Sequence, residues 1–380
     1  MASRREFLDR SLALTAGALA LPGIARASRQ PSSLSLGPTA GAARRPSKSL
    51  KILFLGGTGF IGPHMVRYAM YRGHKVSLFN RGRTAPDMFP GAEAFVGDRD
   101  GKLDALKGGE WDAVVDNSGY VPRHVRDSAD LLKERVGRYL FISTGSVYKF
   151  DQDEITEEGE LLPIEDPKSE DVNKYYGPLK ILCEEAVRER YGPRSTVLRL
   201  HVVAGPGDPT DRFTFWPVRI DKGGDVIAPG NPADPCQFID ARDLAEFTVH
   251  CLENDIPGTF NTAGPALEET PMDQFLYGIR AITSTPVHFE WIDAKFLSDN
   301  QVRYPIWIPQ DSPFRGISKV RSHKAVAAGL KFRPLAVTAA ETLDWFKEQP
   351  ADRQAKLNLQ LERDAKVLAA WKARGAGGGR

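Results

Sequence analysis

From about residue 50 the chain alternates short apolar runs with longer stretches whose apolar positions recur at helical spacing. Ile52–Leu55 is a continuous apolar run, the pattern of a strand buried on both faces of a parallel sheet. After the turn "GGTGFIG", Met65, Val66, Ala69 and Met70 fall three and four apart, so a helix follows at once. "HKVSLFN", "AFVGDRD", "WDAVVDNSGY", "FISTG" and "TVLRLHVV" repeat the strand pattern. This order predicts an α/β fold, a doubly wound parallel Rossmann sheet with an interleaved smaller substrate-binding lobe. The sheet domain is expected from residues 50–205 and 236–265, and the lobe from 206–235 and 266–345. In 351–374, Leu357, Leu361, Ala365 and Leu368 recur at helical spacing and predict a docked C-terminal helix.

The first 49 residues break this pattern. Arg4-Arg5 before Phe7-Leu8, a weakly apolar run from Leu12 to Ile24, and Ala25-Arg26-Ala27 fit a twin-arginine signal peptide over residues 1–27. That address predicts export to the periplasm or the cell exterior. The apolar run is shorter than the roughly 20 residues that cross a bilayer, so no stable membrane span is expected. Residues 28–49, rich in Ser, Pro, Gly, Ala and Arg, read as a disordered linker. The net charge is +2 with both signs interspersed, which gives no reason to expect nucleic acid as partner. Three scattered cysteines and seven histidines form no ligand pattern, so neither a disulfide nor a metal site is expected.

The glycines carry the first chemistry. Gly56-x-x-Gly59-x-x-Gly62, with Phe60 and Ile61 inside it, lies between a strand and a helix. There the backbone can approach a pyrophosphate, and the helix N-terminus offers unpaired N–H groups to its charge. The second strand ends at Asn80, where an acid that holds an adenosine ribose is expected. Arg81 and Arg83 follow and can pair with a 2′-phosphate, so NADP is favoured slightly over NAD; solvated loop charges are the other reading. Asp98, with Arg99 beside it, closes the third strand and suits an adenine contact. Asn117 and Ser118 end the fourth strand, where open parallel sheets place their ligands.

The succession of that glycine motif, "FISTGSVY" and "YYGPLK" resembles the extended short-chain dehydrogenase/reductases, in particular the NAD-dependent epimerase/dehydratase group, over most of residues 50–345. Position by position, the resemblance implies Thr144, Tyr176 and Lys180 as catalytic residues, with Lys180 also on the cofactor ribose. Tyr71 and Lys75 share the Tyr-x-x-x-Lys spacing but end the first helix, on the wrong side of the second strand. An ammonium about 4 Å from a phenolate contributes on the order of 4 kcal/mol, roughly three pKa units, so Lys180 is expected to depress the Tyr176 phenol. The implied reaction is hydride transfer between a substrate carbinol carbon and nicotinamide, with Tyr176 moving the hydroxyl proton.

Other residues carry expectations too. Tyr148 is expected as a pocket wall, and His201 as either a nicotinamide-side ligand or a structural histidine. In "PCQFIDARDLAEF" Cys236 stands where sugar-nucleotide enzymes of the family carry a diphosphate-gripping arginine. Arg212 and Arg219 are placed to compensate, and Phe213, Phe215 and Trp216 read equally as an aromatic pocket or as lobe core. The activity expected is that of an epimerase or dehydratase on a sugar or sugar-like small molecule, in a possible homodimer. An NADP-dependent ketone or aldehyde reductase is the alternative, and a non-catalytic dinucleotide- or RNA-binding relative the second.

Overall fold

The computed structural model describes residues 48–377. The twin-arginine segment and nearly all of the linker lie outside the described residues. None of the described helices is long and apolar enough to cross a membrane.

The strands are β1 (Lys51–Leu55), β2 (Lys75–Asn80), β3 (Glu93–Val96), β4 (Trp111–Asp116), β5 (Val136–Thr144), β6 (Ser195–Leu200), β7 (Val203–Ala204), β8 (Gly224–Pro229), β9 (Pro235–Cys236), β10 (Ile239–Asp240), β11 (Gly258–Thr262), β12 (Thr270–Pro271) and β13 (Val287–Ile292). The helices are α1 (Gly62–Tyr71), α2 (Pro122–Leu132), α3 (Val172–Tyr191), α4 (Phe215–Asp221), α5 (Ala241–Glu253), α6 (Met272–Arg280), α7 (Ala294–Asp299), α8 (His323–Ala327), α9 (Leu335–Lys347) and α10 (Ala351–Gly377).

Seven strands form one sheet in the order β11-β6-β5-β4-β1-β2-β3, and every pairing in it is parallel. Its central strands are buried almost end to end, as helices on both faces require. From β1 the chain winds outward through β2 and β3, then returns to place β4 on the other side of β1. The carboxyl ends of β1 and β4 therefore bound the crevice at the switch point, where such sheets hold ligands.

A smaller lobe pairs β8 with β13 in parallel and packs them with α4, α6 and α9. Its core contains Phe213, Phe215, Trp216, Phe238 and Phe275, all at most 1% exposed. The aromatic triplet that could have been a ligand pocket is lobe core. Gly264-Pro265 is a cis peptide. On α10, Leu357 and Leu361 are buried, Leu368 is partly buried and Ala365 points outward, while Asp364 turns inward to pair with Arg219.

Candidate active site

One cleft of about 2250 Å³ runs along the carboxyl ends of the sheet and under the lobe. Gly56, Gly59, Phe60, Ile61, Asn80, Arg81, Arg83, Asp98, Arg99, Asn117, Ser118, Thr144, Tyr176 and Lys180 all line it. Gly62 does not. Its role is packing, since a Cβ there would stand 2.6 Å from the Gly57 Cα. Gly56 and Gly57 both have φ +105, a backbone that L side chains rarely adopt. At Gly59 a Cβ would meet nothing within 4 Å, so the loop leaves open space at the α1 N-terminus. That turn has no acidic residue and no side-chain cap, and Pro63 removes a donor that would go unused. Across the crevice, Asn117 N–H and Ser118 Oγ both donate to the Leu55 carbonyl, at 3.1 and 2.9 Å. The buried Asn117 Oδ1 finds no partner among the described residues. Open glycine backbone, an unneutralised helix start and an unpartnered amide oxygen fit a dinucleotide.

The adenosine end is more mixed. Asn80 Oδ1 accepts from the Gly82 N–H at 2.8 Å, holding the turn that projects Arg81 and Arg83. Both arginines make no ion pair among the described residues. Asp98 Oδ1 accepts from the Asp100 N–H at 3.2 Å, so half of its carboxylate is already engaged in the loop. Arg99 corrects the expectation for it: its guanidinium pairs with the buried Asp116 and donates to Ser128 Oγ at 2.6 Å and to the His124 carbonyl at 3.1 Å. Arg99 braces β4 against α2 rather than reaching a ligand.

The catalytic candidates meet because of two residues between them. Pro178 lacks the N–H of an interior helix position, and α3 kinks at Tyr175 (φ −124, ψ 31), so a regular turn restarts at Tyr176. Gly177 lets that turn touch the β5 end; a Cβ there would lie 2.2 Å from the Ser146 carbonyl oxygen. Tyr176 is thereby brought to the same stretch of cleft as Thr144, whose hydroxyl helps hold the phenol's pKa down. Thr144 Oγ1 also accepts from the Ser146 N–H at 3.2 Å.

Lys180 departs from its expected electrostatic role. Its Nζ donates to the Ile142 carbonyl at 2.6 Å and to the Gly119 carbonyl at 2.8 Å, over the rings of Phe141 and Tyr120. Burial lowers its pKa to about 8. Tyr176 is pushed well up, first by burial and then by the neighbouring Tyr120 phenol, against the opposing effects of Thr144 and Arg212. Desolvation is the leading influence on both groups, and the Lys180 ammonium is engaged by two backbone carbonyls.

Sequence reading missed a buried network behind Thr144. Ser143 Oγ donates to Glu184 at 2.5 Å, Arg199 pairs with Glu184 at 2.8 Å, and Arg199 Nη1 donates to the Tyr148 hydroxyl at 2.7 Å. The Tyr148 hydroxyl donates in turn to Asn261 Oδ1 at 2.7 Å. Tyr148 is fully buried here and is not a pocket wall. Glu184 follows Lys180 by one helical turn, a spacing that could have signalled it. His201 lines the cleft and donates through Nε2 to the Ile317 carbonyl at 2.6 Å; burial lowers its pKa to about 4 and keeps it neutral. Cys236 is buried against Met272, 3.1 Å away. Arg219 Nε donates to Asp364 at 2.8 Å, which turns Arg219 toward α10, whereas Arg212 lines the cleft.

Similarity to known proteins accords with this geometry. A chloroplast stem-loop binding protein of 41 kDa b from Arabidopsis thaliana is 27% identical over 228 residues, 55% of this chain and 57% of that protein. The chain thus spans little more than half the length of that relative. A UDP-glucose 4-epimerase crystal structure superposes with a TM-score of 0.58 at 18% identity, covering 79% of this chain and 98% of that one. A UDP-glucuronic acid 4-epimerase from Bacillus cereus, solved with NAD, gives 0.54 at 18% identity, covering 79% and 99%. At such identities the likeness is one of fold. The model of the NAD dependent epimerase/dehydratase family matches residues 52–263, more than half of the chain, and the protein belongs to that family.

Proposed function

We propose that the protein is an NAD(P)-dependent epimerase or dehydratase that oxidises and re-reduces a hydroxyl-bearing carbon of a sugar or sugar-like substrate. One observation carries the reading: Thr144, Tyr176 and Lys180 line the same cleft as the glycine loop. A bound nicotinamide supplies the hydride acceptor and donor. The chain's residues do the rest. Gly56–Ile61 hold the pyrophosphate, and Thr144 hydrogen-bonds the reacting oxygen. Tyr176 takes the hydroxyl proton as the carbon is oxidised and gives it back as the carbonyl is re-reduced, so the phenolate that burial disfavours in the free chain has to form in the loaded site. Lys180, whose Nζ already faces two carbonyls beside the crevice, turns to the ribose hydroxyls.

Arg81 and Arg83, without an ion pair among the described residues, and the amide at Asn80 support acceptance of a 2′-phosphate, so NADP is held at least as well as NAD. Titrating both dinucleotides into wild-type and Arg81→Ala protein checks this, and a loss of NADP affinity alone is expected. Redox-neutral chemistry also suits the export proposed for the N-terminal segment, because a cofactor restored at each turnover needs no recycling partner. The reading as a whole is tested with Tyr176→Phe. Activity should fall about 10²–10⁴-fold with dinucleotide binding unchanged. Unchanged activity in that variant would sink the role given to Tyr176, and dinucleotide binding with no turnover in the wild-type protein would favour binding alone.

A further inference from the structure

Lys180 is a buried ammonium with no acid to itself. Among the described residues it forms no ion pair, and the ionisable groups around it are committed elsewhere. Asp116, at the end of β4, is taken by Arg99 and by the Tyr139 hydroxyl at 2.7 Å. Glu184, on the same helix as Lys180, is taken by Arg199, Arg188 and Ser143. Cys183 is a thiol that burial pushes up to about 12. The two hydrogen bonds of Nζ go to the Gly119 and Ile142 carbonyls, and an ammonium has three N–H groups. No third acceptor stands among the described residues. What remains around the charge is two ring faces, Phe141 and Tyr120, with centroids 4.3 and 5.2 Å from Nζ.

The two rings stand in different places. Phe141 is a fully buried residue of β5, whereas Tyr120 is half-buried and lines the cleft. The Tyr120 centroid lies 6.4 Å from that of Tyr176, with the rings tilted by 33°, inside the range of packed aromatic pairs. One side chain therefore lies against both members of the Tyr176–Lys180 pair. Its placement is set by the residue before it. A Cβ on Gly119 would come within 2.6 Å of Phe141 Cε2 and 2.9 Å of Asp116 Oδ2, so only glycine lets the chain run this close to β4 and β5. Burial and the Asp116 charge push the Tyr120 phenol up, so the ring that faces the ammonium is neutral.

We infer that Tyr120 is a positioning residue of the active site, whose ring face keeps the Lys180 ammonium charged and beside the cleft while it exchanges a backbone carbonyl for a ribose hydroxyl of the cofactor. This rests on the role given to Lys180 above and supplies a contact that lasts through the exchange. A carbonyl competes with the ribose for the same N–H. A ring attracts the charge without taking a hydrogen bond. With both nearby carboxylates already paired, the ring is the attraction on the cleft side that the lysine keeps.

The test changes the ring in steps on the full chain. Tyr120→Phe keeps the face and removes the hydroxyl, Tyr120→Leu removes both, and Tyr120→trifluorophenylalanine keeps the shape while draining the negative face. A lysine-selective NMR titration of the cofactor-free chain follows Lys180, its signal identified by its loss in Lys180→Met. Burial places that pKa at about 8. A face that stabilises the cation raises the value, so removing it lowers it. Tyr120→Leu and the trifluoro variant should titrate about 0.4–1.5 pH units below the wild type, and Tyr120→Phe with it. NAD titrated by calorimetry at about pH 6 and about pH 8.5 reads the consequence, with affinity at the higher pH about 2- to 30-fold weaker in the two ring-deficient variants than in the wild type. A Lys180 titration that stays in place in both of them overturns the proposal. So does an NAD affinity that is unmoved at the higher pH or lost equally at both, and so does a Tyr120→Phe variant that behaves as Tyr120→Leu. If Tyr120→Leu does not fold, the trifluoro variant, which keeps the packing, decides alone. The expected ring dependence in a chain that turns over no sugar would sink the proposed reaction and leave Tyr120 its role.

Discussion

The sheet half and the lobe half of this cleft are built by different kinds of contact. In the sheet half, each candidate ligand group stands at a strand end or a helix start, within a few residues of the pattern that makes the element. Gly56 follows β1, Asn117 follows β4, Thr144 ends β5, and Tyr176 restarts α3. In the lobe half, distant partners set the geometry. Asp211 is held by Arg353, 142 residues on; Trp307 donates to Asp234 at 2.8 Å across 73 residues; the Tyr304 hydroxyl donates to Asp364. A cofactor site common to many chemistries can be written in local backbone rules. A substrate site is written in side-chain pairs that one chain assembles for itself.

That contrast can be broken experimentally, and the largest effect should come from Glu184. It is the buried acid shared by Arg199, Arg188 and Ser143. Glu184→Ala leaves Arg199 buried and unpaired and should cost about 3–5 kcal/mol in denaturant unfolding. Asp364→Asn strips the matching acid from the lobe side, where it binds Arg219 and Tyr304. Its loss should register first as easier proteolysis of α10, with the sheet half still folded. If both variants unfolded the whole chain in one transition, the two halves would not be separable.

Acid comes next. His64, bonded to the Pro206 carbonyl, and His201 each have pKa values lowered by burial from 6.5 to about 4. The unfolded chain therefore binds more protons between these values. Stability should be fully present above pH 6.5 and drain away as pH falls toward 4, by on the order of 3 kcal/mol per histidine. His64→Gln and His201→Gln should each flatten part of that slope in urea melts taken across the range. An unchanged slope would mean that both rings gain solvent on protonation.

Gly177→Ala should follow. Its methyl would strike the Ser146 carbonyl, costing about 1–3 kcal/mol and separating Tyr176 from Thr144. Activity should drop more than thermal stability does, and equal losses would make the glycine merely structural. At the bottom of the scale, Lys295→Ala removes an exposed pair with Asp299 one helical turn away and should shift stability by about 0.3–0.5 kcal/mol.

Much of the sheet half was legible because strand, glycine turn and helix are short-range patterns. The parallel winding and the residues brought to the crevice follow from them. Charge was not legible in the same way. Spacing places Lys180 one turn from Tyr176, but whether an ammonium faces a phenol or two carbonyls depends on where β4 and β5 end. Arg99 looked like a ligand because its pairing with Asp116 joins separate strands, and Cys236 gave no sign that Arg212 would stand over the cleft. Hydrophobic period says which face is buried; it does not say which buried charge has a partner.

The most direct measurement is an experimental structure of the chain loaded with its dinucleotide. The account predicts pyrophosphate on the Gly56–Ile61 loop, the nicotinamide facing Tyr176, and Lys180 Nζ within about 3 Å of a ribose hydroxyl. A nicotinamide bound away from Tyr176, or a Lys180 that stays on the Gly119 and Ile142 carbonyls, would contradict it.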